Sequence, residues 1–151
     1  MSGPLLIDVD LRPDFTTFRF MVEIDHLLVA GFSEVSGLEM ETEVFEYAEG
    51  GLNQYTHRLP TRTKLVPLVL KRGISFSNEL WNWYWDVHNG KITRKNGSII
   101  LFNANLVEYR RWDFVDAYPT KWKGPDLNAN TSEVAIEMVE LTHNGFKMHR
   151  F

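Results

Sequence analysis

The sequence predicts a mainly antiparallel β sandwich or barrel with one helix on it and a long hairpin projecting from it. Three observations carry that prediction. Apolar and polar residues alternate with period two over several short segments. Glycine-containing turn signals separate those segments. The period becomes helical only once, between Ser77 and His88.

From Phe15 to Asp25, Phe18, Phe20, Val22 and Ile24 point one way and Thr17, Arg19, Glu23 and Asp25 the other, which predicts a half-buried strand with one polar face. A second strand is expected at about Leu28–Val35. A long hairpin follows over Leu38–Tyr47 and Tyr55–Lys64, turning at Glu49-Gly50-Gly51. Closure between Gly50 and Gly51 sets Glu43 opposite Arg58 and Glu39 opposite Arg62. Opposed cross-strand charges contribute about 0.2–1 kcal/mol each, enough to bias register.

Val66–Lys71 reads as a short strand. The helix is expected over 77–88, with Ser77 as N-cap, Glu79 complementing the dipole, and Asn89-Gly90 as a left-handed stop. Leu80, Trp83, Tyr84 and Val87 make its apolar stripe. Trp81, Trp85 and His88 widen that stripe beyond one face, which suggests contact with a second sheet or another chain. Lys91–Arg94 and Ser98–Phe102 flank Asn96-Gly97, a hairpin turn signal. A strand over Val107–Ala117 precedes a break at Gly124-Pro125. In the last strand, Glu133–Thr142, Val134, Ile136 and Met138 share a face.

A chain of 151 residues forms one domain, burying roughly two-thirds of its unfolded surface. Its division is a 1–14 N-terminal arm, a 15–146 domain and a 147–151 tail. The net charge of −4, with its basic residues dispersed, argues against a dedicated nucleic-acid binder. No cysteine is present for a disulfide or a thiolate metal site. The first residues lack the basic and apolar regions of a signal peptide, and no apolar run is long enough to span a bilayer.

Catalytic signals are thin. His26, His57, His88, His143 and His149 are scattered outside any metal-ligand spacing, and polar surface histidines account for all five. No nucleophile elbow, P-loop or dinucleotide-binding glycine motif occurs. Glu39, Glu41 and Glu43 alternate on one strand face. A divalent cation site or an acid/base pair is one reading of them. A partner-facing stripe accounts for the pattern better, because the returning strand carries Arg58, Arg62 and Lys64. Trp81, Trp83 and Trp85 support an alternative, a standalone β-sandwich carbohydrate- or ligand-binding module.

The strings FMVEIDHLLVAGFSEVSGLEMETEVFEYAEGG, LPTRTKLVPLVLKRGI and ELWNWY, followed in order by RKNGSIIL, NLVEYRRWDFVDAYPTKWKGPDLNA and NTSEVAIEMVELTHNGF, resemble the tail tube proteins of contractile phages. They are most similar to the inner tube proteins of extracellular contractile injection systems. The resemblance covers about Phe15 to Phe146.

It implies two packed antiparallel sheets forming a barrel-like sandwich with one flanking helix, as in the type VI secretion tube protein. It also implies hexameric rings stacked into a tube inside a contractile sheath, with baseplate and spike partners and cargo or toxin in the lumen. No cofactor, metal or catalytic residue is expected, and assembly follows synthesis in a bacterial cytoplasm. Expected contacts between subunits or rings are Glu39, Glu41, Glu43, Arg58, Arg62, Lys64, Trp81 and Trp85. Thr17, Arg19 and Glu23 are the candidate lumen face.

Overall fold

The computed structural model describes residues 19–27, 31–48, 56–74 and 77–149. The arm at 1–14, Thr17 and the turn at Glu49-Gly50-Gly51 lie outside these residues. Nine strands and one helix follow in the order β1 (Arg19–Ile24), β2 (Phe32–Ser36), β3 (Met40–Ala48), β4 (Thr56–Leu65), β5 (Leu68–Gly73), α1 (Glu79–His88), β6 (Lys95–Phe102), β7 (Glu108–Lys123), β8 (Ile136–Thr142) and β9 (Phe146–Met148).

Every strand pairing is antiparallel. The strand path runs β1-β6-β7-β8-β5-β2, with β9 also on β7, and β3-β4 forms a separate ribbon. The long strand β7 belongs to two layers. Its first part, to Ala117, pairs with β6 and β9; its second, from Tyr118, pairs with β8. The described strands make a sandwich joined along β7, and no closed barrel.

Alternation explains the core. Val22 and Ile24 of β1, Ile99 of β6, Phe114 and Ala117 of β7, Leu68 and Leu70 of β5 and Val139 and Leu141 of β8 are buried in one cluster. Leu80 and Trp83 of α1 close it. The Trp83 indole N–H donates to the Thr93 carbonyl at 2.9 Å, so this ring is packed without an orphaned donor. Such burial stabilises by about 1.5–3 kcal/mol for each large apolar side chain.

The β7 crossing needs a corner. Between Lys95↔Ala117 and Gly97↔Phe114, Val115 and Asp116 oppose Asn96 alone, which is a β-bulge. Asp116 takes φ +53°, and its N–H donates to the Asn96 side-chain oxygen at 3.0 Å. Asn144 Nδ2 donates to Asp116 Oδ2 at 3.2 Å from the other side. The Asn96-Gly97 pair is therefore not the hairpin turn the sequence suggests, but sits inside β6. Gly97 is required for closeness: a Cβ there would lie 2.4 Å from both the Glu23 carbonyl oxygen and the Phe114 ring.

Other expectations need correcting. The helix N-cap is Asn78, without a side-chain cap bond, and Ser77 Oγ only accepts a long 3.5 Å bond from the Glu79 N–H. Gly90 at φ +88° does provide the left-handed stop. In β8 Ile136 and Met138 do share a face, as expected, and it is the outward one; the inward residues are Glu137, Val139 and Leu141. Lys147 and Met148 are no tail, since β9 pairs them with Asp113 and Trp112.

The corner yields a stability prediction. Gly97→Ala is expected to cost about 1–3 kcal/mol by overpacking. Thermal unfolding should show the melting temperature falling by several degrees; an unchanged midpoint contradicts the close approach.

Candidate assembly interface

The β3-β4 ribbon stands away from the body. The two strands contact each other and make no other substantial contact with an element. Every residue of β3 except Glu43 is exposed. Ten residues in β4 give a reach of roughly 33 Å at strand rise. A two-stranded ribbon of this kind is marginally stable alone and carries free backbone edges.

Its register differs from the sequence expectation. Glu41 pairs with Lys64, Thr42 with Thr63, Val44 with Pro60 and Glu46 with Arg58. A bulge lies between, where Glu43 faces Thr61 and Arg62. The Thr61 hydroxyl donates to the Glu43 carbonyl at 3.0 Å, and Arg62 Nε donates to Glu43 Oε2 at 2.7 Å. Lys64 Nζ lies 3.6 Å from Glu43 Oε1 and Arg58 Nε 3.1 Å from Glu46 Oε1. Thus Glu43 meets Arg62 and Lys64 rather than Arg58, and Glu39 precedes β3 and opposes no arginine of β4. The bulge and the pairing of Ala48 with Thr56 at the far end shift the register, and neither is visible in local alternation.

Apolar side chains gather on one face of the ribbon. Cross-strand partners share a face, so Phe45 with Leu59 and Tyr47 with His57 lie together. Ring centroids are 6.1 Å apart for Phe45–Tyr47 and 5.1 Å for Tyr47–His57. Phe45 is 57% exposed and Leu59 50%.

A second exposed aromatic surface lies on α1. Trp81 and Trp85 stack at 5.4 Å, Trp85 and His88 at 4.8 Å, and Trp122 of β7 meets Trp81 edge-on at 4.8 Å. Trp81 and Trp85 remain 37% and 46% exposed, whereas Trp83 is core. The three tryptophans therefore do not form one surface.

Beneath this surface is a feature that sequence reasoning missed. Arg72 of β5 and Glu137 of β8 form a buried ion pair through Arg72 Nε and Glu137 Oε1. Arg72 Nη2 also donates to the Ser77 carbonyl at 3.1 Å, and the Trp122 indole N–H donates to Glu137 Oε2 at 3.1 Å. The network ties two strands, the helix approach and the indole that supports Trp81. Both residues stand at inward positions of otherwise apolar strands; that is the one signal that marks them.

The polar face of β1 continues across the sheet. Register aligns Glu23, Ser98, Asp113 and Lys147 in one row over β1, β6, β7 and β9. The Ser98 hydroxyl donates to Asp113 at 2.6 Å, and His149 Nδ1 lies 2.5 Å from the other Asp113 oxygen. Arg111 Nε donates to Glu108 at 2.6 Å, with Glu23 3.8 Å away. The Glu108 hydrogen bond raises the Arg111 pKa above its usual range against a partial desolvation cost, helped by the charges of Glu108, Glu23 and Asp113. Arg19 and Glu23 are exposed on this face.

Among the described residues, no group of three or more His, Asp or Glu side chains is arranged to hold a metal ion. No helix there is long and apolar enough to cross a membrane. His143 is internal rather than surface: its Nδ1 accepts from the Gly145 N–H at 3.0 Å and Nε2 faces the Val66 carbonyl at 3.0 Å.

The family model described as T4-like virus tail tube protein gp19 matches residues 16–147. Among solved structures, a chain of the anti-feeding prophage baseplate is 26% identical, with a TM-score of 0.77, covering 99% of this chain and 97% of that one. A chain of the sheath–tube complex of an extracellular contractile injection system, PVC, in the extended state is 22% identical, with a TM-score of 0.82 and full coverage of both. That alignment includes the 1–14 segment, for which the sequence resemblance offers no counterpart. Hcp1 from Flavobacterium johnsoniae aligns at a TM-score of 0.50 and 15% identity, covering 85% of this chain and 94% of that one. No protein with a curated description matches.

Charge burial separates the two kinds of ion pair. Glu137→Gln, which leaves the buried Arg72 without a carboxylate, is expected to cost about 3–5 kcal/mol in urea unfolding. Glu46→Gln on the exposed ribbon is expected to cost under about 1 kcal/mol. Equal costs contradict this assignment.

Proposed function

We infer its role from one premise: the chain belongs to the family of the T4-like virus tail tube protein. It is a structural subunit of a tail-like tube. Relatives occur in sheath–tube, baseplate and cap complexes, and this supports stacking of copies together with sheath and baseplate contacts. The observation that carries the reading is the ribbon, which among the described residues makes no substantial contact with another element and leaves apolar and charged side chains uncovered. A subunit that acts alone gains nothing from such an element; a subunit that joins copies needs one.

In this reading the tube is built of stacked hexameric rings, and contraction of the surrounding sheath drives it forward with cargo or toxin in its lumen. The particle forms in the cytoplasm and acts outside the cell. Residues 15–146 form the tube domain, extended by β9 to Met148. Glu39, Glu41, Glu43, Arg58, Arg62 and Lys64 contact the next ring, where exposed ion pairs re-form across the boundary. Trp81 and Trp85 serve as subunit contacts. The self-paired row with Arg19 and Glu23 faces the lumen, with Met21 the exposed apolar side chain between them. The work is mechanical and uses no catalytic group.

Two measurements test this. Light scattering and negative-stain microscopy of the purified chain at rising concentration should reveal rings or tubes. A species that stays monomeric at every salt concentration and binds a glycan array contradicts the reading and favours a carbohydrate-binding module. Glu43→Lys should weaken assembly while moving the unfolding midpoint of the monomer little, because Glu43 is partly exposed.

A further inference from the structure

The chain contains three Asn-Gly pairs, at 89–90, 96–97 and 144–145. Such a pair can react with itself: the glycine nitrogen attacks the preceding side-chain amide, and no Cβ on the glycine hinders the approach. What holds the glycine N–H decides whether it does. The Gly90 N–H closes the end of α1 on the Val87 carbonyl at 3.0 Å. Gly97 is buried inside β6, in register with Ile24 on one side and Phe114 on the other. The Asn96 side-chain oxygen is occupied there by the Asp116 N–H. Regular structure therefore holds both pairs.

The third pair differs. Asn144 and Gly145 form the bend between β8 and β9, and Asn144 is exposed. The Asn144 N–H donates to the Val115 carbonyl at 3.0 Å, and the Gly145 carbonyl accepts from the Val115 N–H at 3.1 Å. Between these anchors, the Gly145 N–H donates to Nδ1 of the buried His143 at 3.0 Å. The other ring nitrogen, Nε2, faces the Val66 carbonyl at 3.0 Å. A carbonyl only accepts, so Nε2 carries the ring proton and Nδ1 offers its lone pair to Gly145. A base thus sits within hydrogen-bond reach of the proton that ring closure must remove.

We propose that Asn144 is a self-modification site, at which His143 acts as the base for deamidation. The Gly145 nitrogen bonds to the Asn144 side-chain carbonyl carbon as its proton passes to His143 Nδ1. The bond from that carbon to the amide nitrogen then breaks, and ammonia leaves with the proton that His143 returns. Water opens the resulting five-membered imide at either carbonyl, leaving an aspartyl or isoaspartyl residue. To begin, the Asn144 amide has to give up an exposed 3.2 Å hydrogen bond to Asp116 Oδ2, which is a modest cost. The product reverses the sense of that contact. A carboxylate replaces the donor beside Asp116, so like charges meet at the bulge where β7 passes from one sheet to the other. Deamidation here loosens the corner with time, whether or not the chain builds a tube.

Peptide mass spectrometry of the full chain, held for days at neutral pH, scores the mass gain of amide-to-acid conversion at each pair. Position 144 is expected to convert several-fold faster than 89 and 96 in the folded chain, and at a similar rate to them in urea. His143→Gln keeps a donor for the Val66 carbonyl but has no basic nitrogen. It should slow position 144 several-fold while 89 and 96 keep their wild-type rates. Unfolding of that variant would show as three equal rates, and the wild-type ranking then decides. Asn144→Asp, which installs one of the two products directly, should melt several degrees below the wild type. Conversion at 144 no faster than at 89 and 96 overturns the proposal, as does an unaltered rate in folded His143→Gln. An unchanged melting point in Asn144→Asp overturns the loosening of the corner.

Discussion

Backbone hydrogen bonding along β7 is the constraint on which the rest of the subunit depends. Its first part is bonded to β6 and β9 and its second to β8, so two sheets share one strand and cannot move independently. The change of direction is concentrated at Val115-Asp116, where the bulge, a positive φ and side-chain bonds from Asn96 and Asn144 hold the bend. Gly97 lets the Phe114 ring approach the β1 backbone beneath it. The two sheets then stand in a defined relation to each other.

Burial is divided unequally between body and ribbon. The body encloses a continuous apolar cluster and a satisfied ion pair; among the described residues the ribbon contributes no buried side chain. Removing exposed apolar surface and free strand edges from water is favourable, so covering the ribbon would lower its free energy. The ion pairs along it are too exposed to hold it upright by themselves, and within the chain they serve to set register. The buried pair contributes differently: Arg72 and Glu137 tie the approach to α1 and the Trp122 indole to β5 and β8 through Ser77 and Trp122.

Local pattern made the first strand, the ribbon and the helix legible. Alternation from Phe18 to Ile24 needs only one buried face to be seen, and Asn89-Gly90 stops a helix by its own backbone preference. Features that depend on a distant partner were hidden. Asn96-Gly97 looks like a turn because that dipeptide tolerates positive φ, but the positive φ falls across the ladder at Asp116. Glu137 alternates with Val139 and Leu141, but nothing local to β8 shows that a carboxylate can be buried there; only Arg72 of β5 beside it does. The ribbon register slipped for a related reason: the bulge at Thr61-Arg62 leaves no mark in a strand of alternating charges.

Amide hydrogen exchange, compared between the free chain and the assembled tube, tests the assembly account most directly. The free ribbon should exchange rapidly and the body slowly, since a two-stranded element with solvent on both sides opens at little cost. On assembly, protection should rise together in 40–48, 56–65 and the α1 segment 79–88. A ribbon that exchanges as fast in the tube as in the free chain would contradict the account.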